Sequence, residues 1–388
     1  MSSTFARRNP CFVLFCFLHG KSVAFAPFAE KSVPLTAKMP KECLNQGNHF
    51  LSPRMKRFQF MKKYILLLFC SFFALCAAAQ ESTASFNVLK LPSMPHTAAL
   101  GGKNVTLIED APSVGWQNPA LYANTSDLSL ELNFMTYVSS STWMGAAFTK
   151  ALGERHTLAV MAQYMNYGSM QETDEMGQVL GEFSPKDIII GGGYSYLLSD
   201  RWSGGANAKF LFSNLGDYSA IAMAFDLGLN YYDEEKDLSI SAALLNLGTQ
   251  IKAYDNGLRT HLPCDLTLGF SMGAAHLPIR WHVTLSDMTR WKSRYFALPG
   301  EEEKEISFGK MALNHVALGL DVMPADPIRL SIGYNFRRGN ELKAAGSGSW
   351  AGLTAGAGLN IKKFKFDVAY ARYHKAANSI MVSAGYQF

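Results

Sequence analysis

The sequence predicts an all-β fold: a 14-stranded antiparallel transmembrane β-barrel of residues 128–388, preceded by an N-terminal plug segment at 80–127. Three observations predict it. After Leu128 come fourteen segments of strand length, several of which strictly alternate large apolar with small or polar side chains. That period of two gives a ribbon one greasy and one polar face. The connections alternate short with mostly long, as in barrels with tight turns on one side of a membrane and loops on the other. The last segment, Asn378–Phe388, sets Ile380, Val382, Ala384, Tyr386 and Phe388 against Met381, Ser383, Gly385 and Gln387 and ends on an aromatic. Tyr386 and Phe388 there read as a barrel-insertion signal.

Composition agrees. Only 17% of the residues are charged and 32 are glycine. The formal net charge of +5 comes from the first 79 residues, which hold 11 basic and 2 acidic side chains. The remaining 25 basic and 29 acidic side chains net −4, which gives no electrostatic case for nucleic-acid binding. Five of the six cysteines precede residue 80, and Cys264 alone follows. No CxxC or Cys/His cluster points to a metal, and no cofactor is expected.

In chain order, Met61-Lys62-Lys63-Tyr64 opens a signal peptide at 61–79. Its apolar run, Ile65 to Leu75, is too short for a membrane-spanning helix, and Ala77-Ala78-Ala79 offers a cleavage site before Gln80. Residues 1–60 read as sequence upstream of a start at Met61, with an extended leader as the alternative. Residues 80–127 are irregular and too long for a linker, so they need a surface to pack on, which a barrel lumen would provide. In them Gly101-Gly102 would bring backbone close to the wall, and Asn118-Pro119-Ala120 would fix a turn.

The expected strands are 128–138, 141–149, 156–166, 187–198, 201–213, 219–232, 236–248, 264–274, 279–289, 314–324, 327–337, 350–361, 364–373 and 378–388. Most match the 9–11 residues that a tilted membrane strand needs. Ile328, Leu330, Ile332, Tyr334 and Phe336, for example, oppose Arg329, Ser331, Gly333, Asn335 and Arg337. Tyr137, Trp143, Tyr164, Trp202, Tyr231, Trp281 and Trp350 fall near segment ends, where two interfacial girdles would lie. Lipid offers no hydrogen-bond partners to an open edge, so such a sheet closes.

Phe86-Asn-Val-Leu-Lys-Leu-Pro-Ser, Ala98-Ala-Leu-Gly-Gly and Gln117-Asn-Pro-Ala-Leu, ahead of fourteen strands, resemble the FadL-like barrel superfamily. Within it they resemble the PorQ-like outer-membrane proteins of the Bacteroidetes type IX secretion system. PorV-like cargo shuttles are similar, but tend to carry an acidic-basic pair where this chain has Met94-Pro95-His96. The resemblance implies a non-enzymatic anchor for a PorZ-like surface protein, beside PorU/PorV-like subunits of the complex that attaches cargo to anionic lipopolysaccharide. It also implies an outer-membrane location among outer-membrane lipids. A FadL-like transporter of hydrophobic molecules is the alternative, and the polar inward faces weigh against it.

Catalysis has little support. His282, Ser286 and Asp287 would suit a hydrolase, but in a continuous strand Asp287 faces away from the other two, leaving His282 a polar lumen residue. Glu301-Glu302-Glu303 reads as solvated loop rather than a cation site. Arg290, Lys292, Arg294, Arg337 and Arg338 read as solvated loop charge, with lipopolysaccharide phosphates as the alternative partner. Gly191-Gly192-Gly193 lacks the strand–turn–helix setting of a phosphate loop and reads as wall glycine near the plug.

Overall fold

The computed structural model describes residues 86–174, 176–254, 260–292, 296, 306–344, 350–374 and 377–388. The signal peptide, the upstream stretch, Arg294 and Glu301–Glu303 lie outside the described residues. In chain order the strands are β1 (Ser129–Thr136), β2 (Thr142–Leu152), β3 (His156–Asn166), β4 (Met170–Thr173), β5 (Val179–Phe183), β6 (Lys186–Ser199), β7 (Trp202–Leu215) and β8 (Tyr218–Asp233). They continue with β9 (Leu238–Lys252), β10 (Asp265–Gly273), β11 (Ile279–Leu285), β12 (Val316–Ala325), β13 (Ile328–Asn335), β14 (Leu353–Ile361), β15 (Phe364–His374) and β16 (Ala377–Gln387). Fourteen of them close into one antiparallel barrel, while β4 and β5 form a separate hairpin. Each barrel strand pairs with its chain neighbours, and β1 pairs with β16, with Leu130 opposite Tyr386 and Phe134 opposite Val382. The first and last strands thus satisfy each other's backbone groups.

The alternation sorts the side chains as the sequence predicts. Phe134, Leu227, Leu330, Ile332, Ile380 and Val382 face outward and are exposed, while their strand neighbours Asn133, Asp226, Ser331 and Ser383 are buried inside. An apolar exterior around a polar interior inverts a soluble barrel and suits a wall in lipid. Trp202 and Tyr231 meet at the short-turn end with ring centroids 5.1 Å apart, and Trp281, Phe364 and Phe388 are exposed near the same end. Trp143 does not join a girdle. It is opposite Met135 in the β1–β2 register and fully buried inside, because its parity is that of the inward face.

Every expected segment overlaps a strand, and the differences lie at loop ends. The segment at 279–289 stops at Leu285, where the chain turns and Asp287 takes a left-handed φ of 57°. The one at 327–337 stops at Asn335, where a helix begins, and the one at 350–361 begins only at Leu353. The connections at the long-loop end hold structure that the alternation did not foretell: β4–β5, α2 (Phe308–Asn314) and α3 (Phe336–Ala344). These are short and carry no strong capping or period-two signal.

Residues 86–127 lie within the ring. They comprise α1 (Pro95–Ala99) and short 3-10 turns at Asn87–Lys90, Pro112–Trp116 and Pro119–Asn124, each of the last two opening on a proline whose φ suits a helical first turn. Phe86 stacks on Tyr254 at the long-loop end, which we call the mouth. Asp110 binds Lys365 and Ser126 at the short-turn end, the base.

Candidate functional site

A network of charged and polar groups joins this inner segment to the wall. Its centre is His96 on α1. His96 Nδ1 is 2.7 Å from Glu109 Oε2, and Nε2 is 2.9 Å from Asp321 Oδ2 on β12. Carboxylates only accept, so both ring nitrogens carry protons and the ring is an imidazolium. Burial and the Arg329 guanidinium oppose that charge, but Asp321 and Glu109 outweigh them and hold the His96 pKa at about 9. Glu109 is held at about 2: burial disfavours its charge, and Arg329 and His96 overcome that.

The network extends both ways. Arg329 on β13 donates to Glu109 at 2.6 Å and to Asp367 on β15 at 2.5 Å. Asp321 also accepts from Ser331 at 2.6 Å and from His282 Nε2 at 2.9 Å. With Nε2 donating, His282 Nδ1 accepts from Asn104 Nδ2 at 3.1 Å, and Asn104 Oδ1 accepts from Thr106 N at 2.8 Å. The donors and acceptors agree around this circuit, with His282 in its neutral form. Partners on four strands and the inner segment make it a clamp, because charges in such an interior persist only when paired.

A second cluster lies across the barrel. Lys209 on β7 pairs with Asp226 on β8 at 2.6 Å, both buried, and its ammonium is 4.9 Å from the centre of the Trp116 ring. Asp226 sits at a β-bulge and accepts from Asn246 N at 2.8 Å, where Asn246 holds a left-handed φ of 56°. Asn207 reaches from β7 to Gly115 O at 2.8 Å. Nearer the mouth, Lys103 pairs with Asp265 at 2.5 Å.

Asn118 is fully buried, accepts from Ala120 N at 3.0 Å and donates to Val105 O at 2.9 Å, tying two stretches of the segment together. Pro119 and Ala120 press on Gly205 of β7, where a side chain would strike their backbone. Nearly opposite, Gly333 of β13 meets the backbone of residues 99–101 just as closely. Gly101 and Gly102 both have φ of +92°, and Gly101 N donates to Thr354 Oγ1 at 3.0 Å. Gly193 lies against the Tyr122 ring. At the chain end, Tyr386 packs near Phe364 and Phe388, and Phe388 N donates to Leu128 O at 3.1 Å.

Several expectations need correction. Asp287 is not on the far face from His282: the strand has ended, and Asp287 is buried and pairs with the buried Arg290 and the half-buried Arg337. Neither Ser286 nor Asp287 is a hydrogen-bond partner of His282, whose ring is committed to Asp321 and Asn104. Arg290, Arg337 and Arg338 are not solvated loop charges. Arg337 binds Asp287 at 2.9 Å and Glu341 at 2.7 Å, and Arg338 stacks over Tyr373 at 4.3 Å. The inward faces are not uniformly polar either. In the mouth half Met135, Trp143, Met165, Ile189, Leu211 and Met381 form an apolar ring around Phe86 and Val88. Among the described residues no group of three or more His, Cys, Asp or Glu is placed to hold a metal ion.

The charged strand residues were legible as inward-facing, but His96 and Glu109 were not, since they lie outside the alternating strands and their partners on the wall are over 200 residues away.

No family model matches the chain, and no curated protein matches it in sequence. Among solved structures, the "TodX deltaS2S3 mutant monoaromatic hydrocarbon channel" superposes with a TM-score of 0.50 at 11% identity, covering 76% of this chain and 99% of that one. The Pseudomonas putida toluene transporter TodX gives 0.48 at 11% identity, over 76% and 97%. A Pseudomonas aeruginosa FadL homologue gives 0.46 at 11% identity, over 76% and 98%. At such identity the likeness shows the fold alone: the chain is a closed 14-stranded antiparallel barrel with the fold of the TodX variant.

Proposed function

We propose that the protein is a non-enzymatic, PorQ-like component of the type IX secretion system: a plugged outer-membrane barrel whose mouth holds a PorZ-like surface protein. That partner would belong, with PorU/PorV-like subunits, to the complex attaching cargo to anionic lipopolysaccharide. The observation that supports the reading is the clamped lumen. The chain's own segment spans it from mouth to base, is ion-paired to β10, β12, β13 and β15, and meets β7 across the lumen through Trp116 and Gly115, as befits a scaffold rather than a conduit. The motifs at Phe86, Ala98 and Gln117 point to the secretion family, and the helices and hairpin at the mouth give a partner a surface.

A transporter of hydrophobic molecules is the second reading, favoured by the apolar ring in the mouth half of the lumen and by the channel fold of the TodX variant. A PorV-like shuttle would share the scaffold and exchange its partner. Affinity purification of the native protein from its own membrane separates them. Secretion-complex subunits in stoichiometric amount are expected, and recovery of lipid or small hydrophobic molecules without them refutes the anchor.

A further inference from the structure

Where the clamp reaches the base it borders a cavity of about 50 Å³ at the seam of the barrel, between β1, β15 and β16 and residues 109–112 of the inner segment. Register explains the space. Glu131 on β1 stands opposite Gly385 on β16, and Gly385 stands opposite Lys365 on β15. Gly385 thus holds an inward place with no side chain, and a Cβ there would meet nothing nearer than Lys365 Cβ at 3.4 Å, an ordinary contact.

The charges around the cavity do not balance. Glu109, Asp110, Glu131 and Asp367 line it with four carboxylates, against the two cations Arg329 and Lys365. Glu109 and Asp367 share Arg329, and Asp110 holds Lys365. The His96 imidazolium behind Glu109 is matched by Asp321. Glu131, 3% exposed, accepts from Ser113 N at 2.9 Å and pairs with no cation among the described residues. Ser129 lines the same cavity, is as deeply buried, and its Oγ has no hydrogen-bond partner among the described residues.

We propose that this cavity binds a primary ammonium group, entering from the base as the end of a lysine side chain or of a free alkylamine. A buried carboxylate without a counter-charge is costly, and a cation beside Glu131 removes that cost. An ammonium donates three hydrogen bonds and accepts none, which suits Glu131, the open Ser129 Oγ and Asp367 Oδ2, whose own donor, Ser383, is as far as 3.4 Å away. One water-sized group needs about 10–15 Å³, so the space takes the ammonium and the first methylenes of its stem. No group of three or more His, Cys, Asp or Glu among the described residues is placed to hold a metal ion, which favours an organic cation. The exposed Asn360 and half-exposed Gln387 stand at the rim and leave the entrance open to the base.

The test titrates the purified full-length barrel in detergent with n-butylammonium, Nα-acetyl-lysine methylamide or n-butanol, read by saturation-transfer NMR, with sodium as competitor. Saturable binding of butylammonium and none of butanol is expected. Glu131→Gln should weaken it about tenfold, the step from a charge-assisted to a neutral hydrogen bond. Gly385→Leu fills the cavity and should abolish binding, while Gly385→Ala keeps it. Binding of the lysine amide as well supports the site and names a protein side chain as its source; binding of butylammonium alone supports it and names a free amine. Heat-modifiable migration confirms that each variant is folded. Equal binding of butanol, displacement by equimolar sodium, or unchanged affinity in both Glu131→Gln and Gly385→Leu overturns the proposal. None of these outcomes bears on the secretion partner, which is read separately by copurification.

Discussion

His96→Leu tests the clamp. The substitution removes the cation between Glu109 and Asp321, and leucine fills much of the volume. Glu109 keeps Arg329, and Asp321 keeps His282 and Ser331. The loss therefore falls at the low end for a broken buried pair, about 3 kcal/mol. At about 1.4 kcal/mol per tenfold, docking of the inner segment weakens roughly a hundredfold. The assay is the temperature at which the folded, fast-migrating band on a denaturing gel converts to the slow one, followed across pH. His96 has its pKa raised from 6.5 to about 9, so its contribution is complete below pH 6.5 and is lost as pH rises through 9. The wild-type midpoint should fall between pH 7 and 10, while that of the variant starts lower and stays level over that range. In Asp321→Asn the same His96 substitution should cost less, because the two residues share one interaction. Equal midpoints for wild type and variant, or parallel pH curves, would refute the clamp.

Three further outcomes are expected. Gly333→Val places a side chain where the backbone of residues 99–101 lies, at a cost of about 1–3 kcal/mol. The inner segment should then become accessible to limited proteolysis, while an Ile332→Val control on the outer face stays resistant. Ile332→Arg puts a guanidinium on the lipid side of β13 and should cost about 2–4 kcal/mol near mid-membrane, seen as a lower folded fraction in vesicle refolding. Deleting Phe388 should reduce the heat-modifiable barrel recovered from outer membranes, and undiminished recovery would remove the terminal aromatic from the insertion signal.

The barrel was legible because its evidence is local. Alternation along Ile328–Gly333 or Leu266–Met272 is a two-residue pattern that any stretch shows by itself, and the exposures follow it. Counting such segments gives fourteen strands, and the want of hydrogen-bond partners in lipid gives closure. The clamp was not legible because its partners are set by closure of the whole ring. His96 meets Asp321, 225 positions away, only once the ten barrel strands from β1 to β12 have taken their places. Asp287 misled for the opposite reason: a period-two argument was carried to it from Leu285, where the strand ends, and its own left-handed φ takes it out of the pleat. The apolar ring at the mouth was hidden because Met135, Trp143 and Met381 lie on different strands, each a single exception on a polar face.

The location of residues 86–127 has a consequence for biogenesis. These residues precede the first strand, and the seam between residues 129–135 and 381–387 is sealed only by the last. The polypeptide has to wrap itself around its own beginning, gathering its early residues into a half-open trough before the final hairpin zips shut. Asp321 and Arg329 meet counter-charges carried by those early residues, His96 and Glu109, whereas Asp226 is neutralised within the wall by Lys209 of the neighbouring strand.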